Sequence, residues 1–302
     1  MQPLQSAGEL VRRYERQAKK RFGQHFLVDP NILGAVAAAA DISRGDRVLE
    51  IGPGPGTLST TILGLGAHVL AVELDRDLVA FLGEELGEHP SFELIAGDIL
   101  AQNLGEILAD FDAKFDEQSA PETATPASPA RWKCAANLPY NVATEVFFRL
   151  ADVLERFDCL ALMFQREVAL RFVAQCGDNE YGVLSLMSQL YADSEIVMTL
   201  PPGAFRPPPR VHSAVVRFRP IAGTRIPDPD LREAFKNIVR QAFQTRRKTL
   251  PNALISTGIA KSRLIEAIEV AGLDARVRPE RVSFDEFVAL ATRLRPDLDA
   301  LK

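Results

Sequence analysis

Four short stretches carry residue types and spacings suited to chemistry, and each closes an apolar run. In "EIGPGPG" (50–56), Gly52, Gly54 and Gly56 allow a tight turn and let a ligand approach the backbone with no Cβ in the way. In "HVLAVEL" (68–74), Glu73 stands 21 residues after Gly52. That is the spacing at which a strand-end carboxylate accepts hydrogen bonds from ribose hydroxyls. In "FELIAGDIL" (92–100), Asp98 is placed to accept from an adenine amino group. In "CAANLPY" (134–140), Asn137, Leu138, Pro139 and Tyr140 end a run that a central strand and a dry core both resist. Singly, these residues have plainer readings: a tight turn, a helix cap, a solvated carboxylate, a broken strand. Three glycines and two acids at consecutive strand ends together indicate an adenosine-bearing ligand. NAD and S-adenosylmethionine both qualify. The spacing G-x-G-x-G, where dinucleotide sites use G-x-G-x-x-G, favours S-adenosylmethionine.

The elements that must hold these residues follow from hydrophobic periodicity. The runs at 47–52, 68–74, 92–100, 132–137 and 159–165 are apolar on both faces, the mark of parallel strands covered by helices. Amphipathic stretches alternate with them, giving a doubly wound α/β pattern. Runs at 194–200 and 213–220 are expected to add an antiparallel edge, for seven strands in all. They flank the Pro-rich "PPGAFRPPPR" (201–210), whose Phe205 either borders the pocket or anchors the loop. Beyond Pro220 the strands stop. Leu231, Phe235, Ile238, Val239, Ala242 and Phe243 share one helical face. The expected domains are 1–225 and a small all-helical 226–302. Residues 111–130, rich in Ala, Pro, Ser and Thr, are expected to form a flexible insertion.

Composition narrows the partners. The 302 residues are 47% hydrophobic and 25% charged, ordinary for a globular chain. Cys134, Cys159 and Cys176 form no C-x-x-C pair, which points to reduced thiols and a cytoplasmic location. The histidines have no metal-ligand spacing, so no metal is expected. No apolar run is long enough for a bilayer, so no membrane is expected either. The net charge of −5 disfavours nucleic acid until its distribution is considered. Residues 1–26 hold six cations, among them Arg12, Arg13 and Arg16, against two acids. "RQAFQTRRK" (240–248) holds four cations and no acid. Such local patches are electrostatic footprints for phosphate.

Seven motifs in order make the sequence specific: "KKRFGQHFL" (19–27), "EIGPGPGTLS" (50–59), "VELDRDL" (72–78), "ANLPYNVAT" (136–144), "YGVLS" (181–185), "PPGAFRPPPRVHSAVV" (201–216) and "AFQTRRKTLPNAL" (242–254). Together they resemble the small-subunit ribosomal RNA adenine N6,N6-dimethyltransferases, over residues 19 to about 290. The departures are the long 111–130 insertion, and Val142 and Ala143 where the family more often has Ile and Ser.

The resemblance implies a Rossmann-like methyltransferase sheet, S-adenosylmethionine as cofactor, and transfer of methyl groups to N6 of two adjacent adenosines in a hairpin loop near the 3′ end of 16S rRNA. The partner it implies is the small ribosomal subunit or its precursor; the protein itself is expected to be a monomer. Physical chemistry gives the NLPY motif its role. An adenine N6 is a weak nucleophile because its lone pair is delocalised, and two acceptors on its NH2 would localise that pair. Asn137 offers its side-chain carbonyl. Pro139 drives Leu138 out of the α region, aiming the Leu138 carbonyl at the pocket. Tyr140 offers a stacking face, worth about 1–3 kcal/mol per base. By resemblance, Tyr181 supplies a second stacking face, His25 and Leu27 close over the cofactor's methionine end, and Arg246, Arg247 and Lys248 grip RNA phosphates. Two rival readings remain at this point: a large-subunit rRNA methyltransferase of the macrolide-resistance type, and a non-catalytic RNA-binding or transcription factor of the same fold.

Overall fold

The structure, a computed structural model, describes residues 4–17, 25–119, 131–140, 142–245 and 248–301. Among these lie nine strands: β1 Phe26–Leu27, β2 Arg47–Ile51, β3 His68–Glu73, β4 Phe92–Ala96, β5 Trp132–Asn137, β6 Phe157–Gln165, β7 Ala192–Leu200, β8 Phe205–Arg206 and β9 Ser213–Pro220. The twelve α-helices described are α1 Ala7–Gln17, α2 Pro30–Ala39, α3 Thr57–Gly64, α4 Arg76–Leu86, α5 Leu104–Ser119, α6 Ala143–Ala151, α7 Arg166–Val173, α8 Val183–Tyr191, α9 Pro229–Phe243, α10 Leu250–Leu254, α11 Lys261–Val270 and α12 Phe284–Asp299.

The chain divides into two compact units, Met1–Ala169 with Glu195–Pro220, and Leu170–Ser194 with Ile221–Lys302. The first is built on a seven-stranded sheet of order β4-β3-β2-β5-β6-β9-β7. Its β4, β3, β2, β5 and β6 run parallel, and β9 pairs antiparallel with β6. The order reverses between β2 and β5, so the switch point lies at their carboxyl ends, where open α/β sheets bind ligands. Glu50 pairs with Ala135; two residues on, Gly52 and Asn137 leave the sheet side by side. Every residue of β2 is buried, as a strand sandwiched between helix layers requires. Asp29 caps α2 by accepting from the Asn31 and Ile32 N–H groups. Asp75 does the same for α4 through Asp77. Helix α1, unforeseen from the sequence, packs Leu10 and Tyr14 on Leu78, Phe81 and Phe26.

Two expectations need correction. The first is the insertion at 111–130: α5 continues through Ser119. Phe111 is buried with its ring edge on Trp132, and Phe115 packs on His68 and under the Arg47 guanidinium. Asp112 pairs with both Arg47 and Arg156. Alternating aromatic and acidic residues hid a helix that is buried on one face only. Residues 120–130 lie outside the described residues. The second is the domain boundary. Leu170–Ser194 groups with the helical unit instead of the sheet, because Gly177 N–H donates to Glu280 C=O and Arg225 N–H to Leu190 C=O. In that unit Phe235, Ile238, Val239 and Ala242 of α9 are buried, as are Phe287, Leu290 and Leu294 of α12.

Candidate active site

The carboxyl ends of β2, β3 and β5 open into one pocket. Gly52, Gly54, Glu73, Asn137, Leu138, Pro139 and Tyr140 line it, together with His25 and Leu27. Gly52 and Gly54 hold φ of +64° and +58°, left-handed values that disfavour any residue with a Cβ. A Cβ on Gly54 would also sit 3.0 Å from the Phe26 ring. Glu73 is 6% exposed. Its Oε2 accepts from Gly54 N–H at 3.2 Å and its Oε1 from Asp75 N–H at 2.9 Å. Burial raises its pKa, and these backbone donors oppose the rise. Each carboxylate oxygen keeps acceptor capacity for a ligand hydroxyl.

Asn137 closes β5 with its amide fixed. Nδ2 donates to the His25 carbonyl at 2.9 Å. A carbonyl only accepts, so this bond settles which amide atom is nitrogen and leaves Oδ1 as the acceptor the side chain offers the pocket. Val142 N–H donates to Pro139 C=O at 3.1 Å, turning the chain towards α6. The Tyr140 hydroxyl lies 2.6 Å from Ser213 Oγ. Burial raises its pKa, partly offset by that hydroxyl contact. Its ring faces the His25 imidazole, centroids 6.2 Å apart and planes 27° from parallel. His25 in turn donates from Nδ1 to Pro207 C=O at 2.7 Å. Leu27 pairs with Phe205 across β1 and β8. Phe205 is buried in the core and lies off the pocket wall, which selects the anchor over the wall for it.

Several expected residues stand elsewhere. Gly56 does not line the pocket. It begins α3 at φ +84°, and a Cβ there would meet Leu82 at 3.0 Å and Leu86 at 3.1 Å, so it serves helix packing. Asp98 is exposed off the pocket wall; its Oδ1 accepts from Leu100 N–H at 2.9 Å and caps its own turn. Tyr181 is a core residue of the helical unit, 5% exposed. Its hydroxyl donates to Val282 C=O at 3.0 Å and its ring packs edge-on against Phe243. A ring so enclosed offers no open stacking face. Arg246 and Arg247 lie outside the described residues; Lys248 is exposed just before α10.

Sequence reasoning passed over one residue. Glu50 lines the pocket while only 1% exposed. Among the described residues its Oε2 has no hydrogen-bond partner of good geometry. Burial pushes its pKa up to about 8, and the Glu73 charge adds to this. The Ser59 hydroxyl and N–H dipoles offset only part of the rise, so the carboxyl is held protonated at neutral pH. The signal was available: Glu50 is an acid inside the apolar run "RVLEIG", where buried strands exclude charge.

The walls fit S-adenosylmethionine. Leu33, Val36, Leu58 and Met163 supply apolar surface. Glu73 would supply ribose acceptors, and the orphaned Glu50 Oε2 supplies a buried polar group still to be satisfied. A mostly parallel seven-stranded sheet with this strand-end pocket defines the Rossmann-like methyltransferase class.

The family of ribosomal RNA adenine dimethylases matches residues 15–295. A curated relative from Geobacter metallireducens, named ribosomal RNA small subunit methyltransferase A, is 39% identical over 91% of this chain and 94% of its own. One of the same name from Clostridium botulinum is 37% identical over 94% and 96%. The chain belongs to the ribosomal RNA adenine dimethylase family. Among solved structures, a dimethyladenosine transferase from Plasmodium falciparum superposes with a TM-score of 0.69 at 24% identity, covering 90% of this chain and 98% of that one. The 23S rRNA methyltransferase ErmE superposes at 0.63 and 22%, covering 89% and 99%. At such identities the two structures bear on the fold alone.

Proposed function

We propose that the protein is an S-adenosylmethionine-dependent methyltransferase that dimethylates N6 of two adjacent adenosines in 16S rRNA of the small ribosomal subunit or its precursor. The observation that carries this is the fixed amide of Asn137. Held by His25 C=O, it keeps Oδ1 as an acceptor, and Leu138, the next residue on the pocket wall, adds its carbonyl. These two acceptors suit one NH2 group, and no neighbouring general base is needed for a proton that becomes acidic once nitrogen is alkylated. When bound, the cofactor supplies an electrophilic methyl. Glu73 holds the ribose, His25 and Leu27 cover the pocket, and Tyr140 stacks the target base, which must leave its own stack at a cost of a few kcal/mol. Catalysis then rests on positioning and fixed dipoles. The names of the curated relatives favour the small-subunit substrate over the large-subunit rival. The intact pocket disfavours a purely RNA-binding role.

Asn137→Ala should lower methyl transfer to undermethylated small subunits by at least about 100-fold, as loss of an oriented catalytic dipole does. Binding of S-adenosylmethionine, read by calorimetry, should stay within a few-fold of wild type. Near-wild-type turnover by the variant would refute the reading.

A further inference from the structure

The loop joining β8 to β9 has features the pocket alone does not require. Arg206, Pro207, Pro208, Arg210, Val211 and His212 are all exposed. Yet the loop is tied down by residues that line the pocket. His25 donates to Pro207 C=O at 2.7 Å, and Tyr140 bonds Ser213 at the loop's end at 2.6 Å. Arg166 N–H donates to His212 C=O at 2.9 Å, setting a further exposed arginine beside the loop. Arg206 and Arg210 thus lie on a loop segment bonded to His25 and, at its end, to Tyr140, and the Arg166 backbone is bonded to that same segment. The acid contact on Arg206 is weak. Arg206 meets Glu15 at 3.7 Å with both side chains largely in water, a contact of little energetic weight. Glu167 follows Arg166 on α7 and has a contact of its own. Three prolines at 207–209 limit the conformational freedom such a loop would lose on binding.

A base stacked on Tyr140 carries its own phosphate and those of its neighbours. Exposed arginines on and beside a stiff loop tied to an aromatic platform match that ligand: single-stranded RNA tracks a positive groove while its bases stack. We propose that Arg166, Arg206 and Arg210 form a phosphate-binding surface for the RNA strand flanking the flipped adenosine. It positions the backbone without reading sequence. The inference rests on the methyltransferase reading and extends it to the path of the substrate strand.

The test uses the full-length protein and a fluorescent RNA hairpin with two adjacent loop adenosines, titrated by anisotropy from 50 to 300 mM KCl. Arg166→Ala and Arg210→Ala should each weaken binding several-fold at the lowest salt. Each should also lower the slope of log K against log[salt] by about 0.7, the value for one single-strand phosphate contact. Arg210→Glu should weaken binding further than Arg210→Ala. Arg219→Ala, which removes a cation paired with Asp41 at 2.8 Å, should change neither. Cofactor binding by calorimetry should be the same in all four variants. An unchanged slope and affinity, with wild type methylating the RNA, would overturn this surface alone. Unchanged binding to naked RNA with weaker binding to the small subunit would also overturn it, in favour of a protein contact. A wild type that methylates no adenosine in RNA would overturn the surface together with the reading beneath it.

Discussion

Glu50→Gln should remove a pH dependence of stability that the buried carboxyl creates. In the folded protein Glu50 keeps its proton up to about pH 8, whereas the usual value is 4.5. Between those two values the unfolded chain has lost a proton that the folded chain still holds. Stability from this group is therefore full below about pH 4.5, and falls as pH rises until the folded carboxyl ionises near pH 8. The difference of about 3.5 units corresponds to about 5 kcal/mol across the whole window, and about 2.5 kcal/mol between pH 5.5 and 7.5. Glutamine has nearly the same shape and does not titrate. The stability of Glu50→Gln minus that of wild type should thus climb by about 2.5 kcal/mol over those two pH units. The difference cancels His68 and His89, whose pKa values burial lowers in both proteins. Trp132 is the protein's single tryptophan. It is fully buried in β5, next to the strand that carries Glu50. Urea unfolding followed by its fluorescence therefore reports on the right unit. Parallel curves for wild type and Glu50→Gln would show that the carboxyl is ionised in the fold and refute the reasoning.

Two further substitutions probe the scaffold. Asp112→Asn takes away the carboxylate that both Arg47 and Arg156 contact. Arg47 is nearly buried, its side chain 8% exposed, so the loss should destabilise the sheet unit by about 3 kcal/mol, read by the same tryptophan; a change under 0.5 kcal/mol would mean the cluster adds nothing. Gly56→Ala should cost about 2–4 kcal/mol, from a left-handed φ and from overpacking against Leu82 and Leu86, yet leave cofactor affinity of the folded protein unchanged; a large loss of affinity at unchanged stability would return Gly56 to the pocket.

The sheet was legible in the sequence because parallel strands buried on both faces are written as continuous apolar runs, and the observed β5 matches its run at both ends, as does the antiparallel β9. The third run overshot: it continued to residue 100, whereas β4 stops at Ala96. Gly97 has a φ of +159° and starts a turn that Asp98 caps. Local patterns failed where structure depends on distant partners. Helix α5 is held by Trp132, His68 and Arg47, none adjacent in sequence. The grouping of Leu170–Ser194 with the helical unit depends on hydrogen bonds across more than 30 residues of chain.

The same distinction separates the site residues that converge from those that do not. Glu73 and Asn137 each end a strand beside the switch point, so strand order alone brings them together. Gly56 and Asp98 lie beyond their strand ends, by which point the chain has turned, and turn geometry decides what they face. Gly56 turns towards Leu82, Asp98 towards its own backbone. Tyr181 was placed by motif alone, and no strand carries it to the pocket. A motif records that a residue type is required at a position; whether the requirement is packing or chemistry shows only in its contacts. For Asn137 the contact fixes how the amide is oriented. Asn137 commits Nδ2 to His25 C=O while it lines the pocket, the arrangement that the proposed role of its oxygen requires.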